Sequence, residues 1–409
     1  MSALAGLKIL ELADERIGLA GKLMADMGAE VILIEPPAGH PSRHHGPYAN
    51  DQQDIEHSLY FWHYHTSKHS VTLDLQTAHG HQMLHKLLAE SDVLLEAEAA
   101  SQSDQLGLDP AATMAEHPRL IHITVSSHGR EHPDSNLPNT DLTLMAEGGP
   151  PWSCGYDDHS LPPVRGWGDQ AYHTVSHFAF MSALTALLYR NQSGHGQHVD
   201  VSAVAALNVT TEAASYTHLV NGGEVQRQTG RHAALRATGE TQMQCADGNW
   251  ANTGVPPRFP VEFARLLDWL RQLDLAKELP EAVFLEMGAE WQGPFDLSKL
   301  GEDDTITAVF SAGREALQLI ARNLSAQEFF LGCQRAGLTV GVINRADQAF
   351  EDEHFKARGF QVPVQHEAQT HLYPGAPYKL PASPWQIYRP APKLGEHNQA
   401  FLGSASSEE

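Results

Sequence analysis

The sequence predicts an α/β protein built on a covered parallel sheet, with a second, smaller α+β domain. Three observations carry this. Strand-like runs alternate with helical patterns through the first third of the chain, which is the pattern of βαβ units. Those runs are almost continuously apolar, as strands buried on both faces are. From about residue 221 to 330 the alternation stops, and short hairpin and helix signals replace it.

Each element follows from its residues. LKILELA (7–13) reads as a strand, GLAGKLMADMGA (18–29) as a helix, and EVILIEP (30–36) as a second strand closed by Pro36 and Pro37. SVTLDL (70–75), DVLLEA (92–97) and RLIHITVSSH (119–128) are further strands, with the amphipathic helix TAHGHQMLHKLLAES (77–91) among them. Residues 130–165 read as loops around a short helix at 141–149, and a long helix is expected from about 170 to 190. GQHVDVS then gives a short strand, followed by one helix ending at Gly222 and Gly223. In the smaller domain TGETQMQCADGNWANTG reads as a hairpin, because Asp-Gly is a turn signal. The proline-punctuated tail is expected to run extended over a surface, with 403–409 disordered.

Composition narrows the function. The chain has 409 residues, enough for two or three domains at roughly 150 residues each. Lys+Arg number 27 and Asp+Glu 50, so the formal charge is 27 − 50 = −23. That sign argues against nucleic acid as a partner, and an anionic small ligand would need a local basic site. Three widely spaced cysteines, Cys154, Cys245 and Cys333, suggest neither a disulfide framework nor a zinc site. With no signal-peptide pattern at the start and no membrane-length apolar run, a soluble cytoplasmic protein is expected.

Several familiar motifs are missing. There is no P-loop, no H-E-x-x-H and no G-x-S-x-G. His81 and His85 sit four apart on a helix but lack a third ligand, and His63, His65 and His69 cluster in a chain of 25 histidines. No metal is expected. In open parallel sheets ligands sit beyond the carboxyl ends of strands. PAGHPSRHHGPY lies there, and it carries Arg43, His44 and His45.

Asp169 poses a choice. It follows Gly168 and opens the long helix, so it has the position of an N-cap, worth about 1 kcal/mol over alanine. A carboxylate at the positive end of a helix is also an available nucleophile, with amide N–H groups nearby to stabilise charge. Asp141, in LPNTDLTL, has the same ambiguity between cap and site residue.

Five stretches, in order along the chain, resemble the family III CoA-transferases, the superfamily of formyl-CoA transferase and the α-methylacyl-CoA racemases. They are LMADMGAEVILIEPPAGHPSR (23–43), SKHSVTLDL (67–75), SDVLLEA with DQLGLDP (91–110), GQHVDVS (196–202) and APKLGEHNQAFL (391–402). The resemblance implies a Rossmann-like large domain from 1–220 together with 335–409, a small domain at 221–334, and an interlocked homodimer. It implies acyl-CoA and a small carboxylic acid as substrates. It places the catalytic aspartate at Asp169 and a second polar site group at Asp141, and it matches Arg43, Lys68 and His69 to segments that contact CoA, as candidates for its phosphates.

The chain also departs from that family. The usual CoA-binding loop after the DVLLE strand is AEAAS (97–101), a basic residue usual beyond it is Gln105, and the Gly-rich segment is reduced to SHGREHP (127–133). His173 stands where a glycine is usual, and Thr140 where the racemases carry a histidine. The expected activity is therefore CoA transfer. Two alternatives remain: an acyl-CoA isomerase, racemase or lyase on the same fold, and a non-catalytic member that has lost CoA.

Overall fold

A computed structural model describes residues 2–254, 256–293, 295–296 and 299–403, with the side chains of 212 and 213 excepted. The chain forms two compact units. One comprises 1–152, 165–220 and 353–409, and the other comprises 153–164 and 221–352.

The larger unit is built on six parallel strands: β1 (Lys8–Leu12), β2 (Glu30–Glu35), β3 (His69–Thr72), β4 (Val93–Glu96), β5 (Ile121–Ser126) and β6 (His198–Ser202). Their order is β3-β2-β1-β4-β5-β6. Helices α1 (Gly18–Asp26), α2 (Leu59–Tyr64), α3 (Ala78–Ala89), α4 (Ala100–Gln105), α5 (Pro110–Glu116), α6 (Asp141–Gly148), α7 (Gln170–Ser193), α8 (Ala203–Val209) and α9 (Glu212–Asn221) accompany the sheet. Strand order reverses between β1 and β4, so the crevice beyond their carboxyl ends is where such sheets bind ligands.

The core explains the sheet's sequence. Ile9, Val31, Val93, Leu95, Ile121 and Ile123 lie on one face with α1 and α7, while Leu10, Ile32, Leu94, Leu84 and Leu87 lie on the other with α3. Burial on both faces accounts for the unbroken apolar runs. Helix α7 contributes Ala171, Val175, Ala179 and Ala183, all fully buried. This stripe of small residues at helical spacing lets α7 pack closely on α1 and the sheet.

Polar ties secure the edge strand. His397 N–H donates to the Ser70 carbonyl (3.0 Å), and Thr72 N–H donates to Asn398 Oδ1 (2.8 Å). The tail thus supplies partners that an edge strand would otherwise leave open, and a short helix, Asn398–Leu402, ends it.

The smaller unit holds the hairpin β7 (Gln226–Gln228) and β8 (Arg231–Ala234), strands β9 (Gln242–Gln244), β10 (Trp250–Thr253) and β11 (Val340–Ile343), and helices α10 (Pro260–Gln272), α11 (Ala282–Ala289), α12 (Asp304–Asn323), α13 (Ala326–Ala336) and α14 (Ala346–Glu351). The larger unit closes with α15 (Glu353–Arg358) and the hairpin β12 (Gln361–His366) and β13 (Gln369–Pro374). The expected hairpin is β9–β10, turning at Gly248 with φ +80°.

Three expectations differ from what is observed. Residues 335–352 belong with the small unit and not the large one, because β11 pairs antiparallel with β10. Residues 153–164 join the small unit too. The single helix expected after β6 is two, broken at Thr210 and Thr211, whose hydroxyls donate to the Leu207 and Asn208 carbonyls. The expectation for 404–409 lies outside the described residues.

Gly21 on α1 provides a sharp test of the packing. A Cβ there would lie 1.7 Å from Glu11 Oε2 and 2.9 Å from Lys68 Nζ. Gly→Ala inside a helix ordinarily gains about 0.5–1 kcal/mol. Gly21→Ala is expected to invert that sign and cost about 1–3 kcal/mol, read as a lower urea midpoint.

Candidate active site

Asp169 occupies the N-cap position of α7, with φ −86° and ψ 61°, yet its side chain makes no capping hydrogen bond. Asp141 takes that role from another helix. Its Oδ1 accepts from the N–H groups of Ala171 (2.7 Å) and Tyr172 (3.3 Å) at the start of α7. Its Oδ2 accepts from Arg165 Nη1 (2.9 Å), and the same Nη1 donates to the Gly168 carbonyl (2.6 Å). Asp141 is almost fully buried. One ion pair therefore fixes both the helix start and the turn that carries Asp169.

The geometry answers the capping half of the choice posed by the sequence. A second carboxylate caps the helix, and the half-buried Asp169 carboxylate is left for other work.

Asp169 has polar and aromatic neighbours. Burial, then the charges of Asp169 and Glu15, push the Tyr60 hydroxyl far above its ordinary range. Tyr64, one turn further along α2, meets His173 Nε2 at 2.6 Å. Burial, then the charges of Asp169 and Asp141, raise Tyr64 as well. Burial and His177 lower His173, against the charges of Asp169 and Asp141. Glu15 lies close enough that Asp169 helps raise it, behind burial, while His45 Nε2 stands 3.4 Å from its carboxylate.

Sequence reading missed α2. A usable signal existed in Ser58, whose side chain accepts from Phe61 N–H and caps LYFWHY, but an aromatic and histidine-rich hexapeptide lacks an apolar stripe.

A cleft of ≈ 400 Å³ opens at the β1/β4 crevice. Asp14, Glu15 and Arg16 line it after β1, Glu98 and Ala99 after β4, and Tyr172 from α7. Glu15 and Tyr172 thus connect the cleft to the surroundings of Asp169. The AEAAS segment forms one wall. Arg16 is the one Lys or Arg in the lining, and Asp14 holds it with two bonds of 2.8 and 2.7 Å. Burial, then the charges of Asp14 and Glu96, raise the Glu98 carboxyl to about 7.

The three other residues marked from the sequence lie elsewhere. Arg43 is fully buried, paired with Glu35 at 2.7 and 2.8 Å, donating to the Pro392 carbonyl and stacked on Phe61. Lys68 is fully buried and donates to Glu11 (2.7 Å) and the Gly18 carbonyl (2.9 Å). His69 meets Arg389 at 3.0 Å, and burial followed by the Arg389 charge lowers it to about 4. None of the three lines the β1/β4 cleft. His81 and His85 meet the backbone carbonyls of Leu75 and Leu106. Among the described residues no group of His, Cys, Asp or Glu is arranged to hold a metal ion, and no helix is long and apolar enough to cross a membrane.

The model of CoA-transferase family III matches residues 4–398. The chain belongs to that family. It is 28% identical over 405 residues to the succinyl-CoA:(R)-benzylsuccinate CoA-transferase subunit BbsE of Thauera aromatica, covering 97% of this chain and 92% of that protein. It is 24% identical over 410 residues to the succinate–glutarate CoA-transferase of Agrobacterium fabrum, covering 98% and 94%. A CAIB/BAIF family protein from Brucella suis superposes with a TM-score of 0.77 at 21% identity, over 98% of each chain. As a family III CoA-transferase the protein acts on CoA thioesters and carboxylic acids.

The capping exchange gives a paired test. Asp141→Ala leaves two N–H groups and Arg165 without their carboxylate, and should cost about 1–3 kcal/mol in urea denaturation. Asp169→Ala removes no cap and should stay within about 0.5 kcal/mol of wild type.

Proposed function

We propose that Asp169 is the nucleophile that carries CoA between two acids. Its carboxylate attacks the donor thioester carbonyl, the C–S bond breaks, and CoA leaves as a thiolate. The resulting aspartyl–acyl anhydride is attacked by the thiolate at the aspartyl carbonyl, and the donor acid departs as a carboxylate. The acceptor carboxylate then attacks the aspartyl thioester and releases the thiolate. Attack of that thiolate on the acceptor's carbonyl makes the new acyl-CoA and restores Asp169. The thioester's activation is kept in covalent form throughout, so no other energy source is needed.

The observation that carries this reading is the cap supplied by Asp141, which leaves Asp169 at a helix N-terminus without a capping role. Asp141 is on this reading a positioning residue. Tyr60, whose hydroxyl feels the charge of Asp169, is on this reading the donor to an oxygen that gains charge during attack. Thr140 occupies a racemase histidine's place but closes a capping box with Thr143, which disfavours two-base proton exchange.

CoA's place on this reading is the β1/β4 cleft. Arg43 and Lys68 support the walls from inside the protein, and CoA's phosphates reach outward to solvent or to a partner chain. The proposed working form is the interlocked homodimer. Leu188, Val209, Leu219 and Val220 are 65, 60, 82 and 78% exposed, an apolar surface that a second chain would cover.

Intact-protein mass spectrometry after incubation with an acyl-CoA panel tests the nucleophile. Wild type should gain a covalent CoA or acyl adduct and Asp169→Asn none. Equal labelling of the two would overturn the assignment.

The acidic wall predicts a pH dependence. As pH rises through about 7, Glu98 ionises and repels the anionic donor. The KM for acyl-CoA should rise across that range in wild type, and Glu98→Gln should flatten the rise.

A further inference from the structure

Two short helical segments face one another as a ladder. Tyr60 and Tyr64 lie one turn apart on α2. Asp169 and His173 lie one turn apart at the start of α7, where His173 N–H donates to the Asp169 carbonyl at 2.9 Å. Tyr64 meets His173 Nε2 at 2.6 Å, and Tyr60 lies within reach of the Asp169 charge. The two tyrosine rings stand 4.7 Å apart, and the Tyr64 ring meets the His173 ring edge-on at 5.6 Å and 78°. Residues four apart on a helix project about 5–6 Å from each other. The second rung therefore lies about one four-carbon acyl chain away from the nucleophile.

The chemistry of that rung is neutral. Burial and the nearby carboxylates keep Tyr64 protonated, and burial with His177 keeps His173 uncharged. The Tyr64 hydroxyl can donate to Nε2, an arrangement that puts the imidazole proton on Nδ1 as a donor for a bound group. The surrounding charge is negative. Asp141 and Asp169 act on Tyr64 and His173, and Glu15 acts on Tyr60 beside them, while Arg165 is held by Asp141 and Arg16 by Asp14.

Resting on Asp169 as the reacting residue, we infer that the Tyr64–His173 rung reads the far end of the acyl chain. It selects acids that end in an uncharged hydrogen-bonding group, such as a hydroxyl, over acids that end in a second carboxylate. A terminal carboxylate would enter a field of like charge with no free cation in the rung to receive it. A methyl terminus would leave the imidazole N–H without a partner.

Three probes of equal length separate these ideas: the butyryl, 4-hydroxybutyryl and succinyl derivatives of CoA, each with a methylene in place of the thioester sulfur. They bind but cannot transfer. Calorimetry on the wild-type protein should rank hydroxyl above methyl above carboxylate, the first step being about fivefold to tenfold. His173→Gly and Tyr64→Phe should each erase the hydroxyl preference and keep the carboxylate penalty, and Glu15→Gln should reduce that penalty. Tightest binding of the succinyl probe to wild type would overturn the inference. So would equal binding of hydroxyl and methyl probes, a measurement that needs no variant to fold. Because the probes do not react, the expected ranking together with no adduct on wild type in the acyl-CoA mass-spectrometry test would sink the nucleophile assignment alone.

Discussion

The start of α7 depends on one carboxylate that reaches it from another helix. Asp141 caps α7 across the fold and is held by Arg165, which also grips the carbonyl of Gly168. A helix start satisfied in this way has no need of its own N-cap side chain. The residue at that position is then a carboxylate fixed in place by the backbone on both sides and uncommitted as a cap. Tyr60 and Tyr64 are set near it from α2, itself capped by Ser58, and Tyr64 meets His173 of α7. The arrangement gives the Asp169 carboxylate a fixed position.

The same economy of charge governs the loops beyond the sheet. Glu11–Lys68, Glu35–Arg43 and Asp26–Lys22 are buried pairs at 2.7–2.8 Å. Each is reinforced by neighbours, with Gly18, Pro392 and Thr66 supplying oxygen partners. Buried pairs of this kind add little net stability over apolar packing, but removal of one partner is costly. They fix the 40–68 segment, and with it α2, onto β1 and β2. A basic residue in such a segment is consumed by the scaffold before any ligand arrives.

The cleft reflects this. An anionic substrate class meets a wall bearing Asp14, Glu15 and Glu98, with Arg16 already paired. On the reading proposed above, recognition in this unit leans on shape, hydrogen bonding and the neutral Tyr64–His173 rung rather than on charge.

Local pattern determined the fold class and most elements. The runs at 7–13, 30–36 and 92–97 became β1, β2 and β4 with ends within one or two residues, because both-face burial writes an apolar run into the sequence. Asp169 was legible for a similar reason, as an acid between a glycine and a helix. Tertiary structure alone decided the rest. That Asp141 and not Asp169 caps α7 depends on a contact across thirty residues. That Arg43 and Lys68 face inward depends on Glu35 and Glu11 standing beneath them. That β11 joins the small unit depends on a partner strand about ninety residues earlier. Spacing along the chain encodes which face of an element is apolar, but a charged side chain's partner is fixed only by what the fold brings beside it.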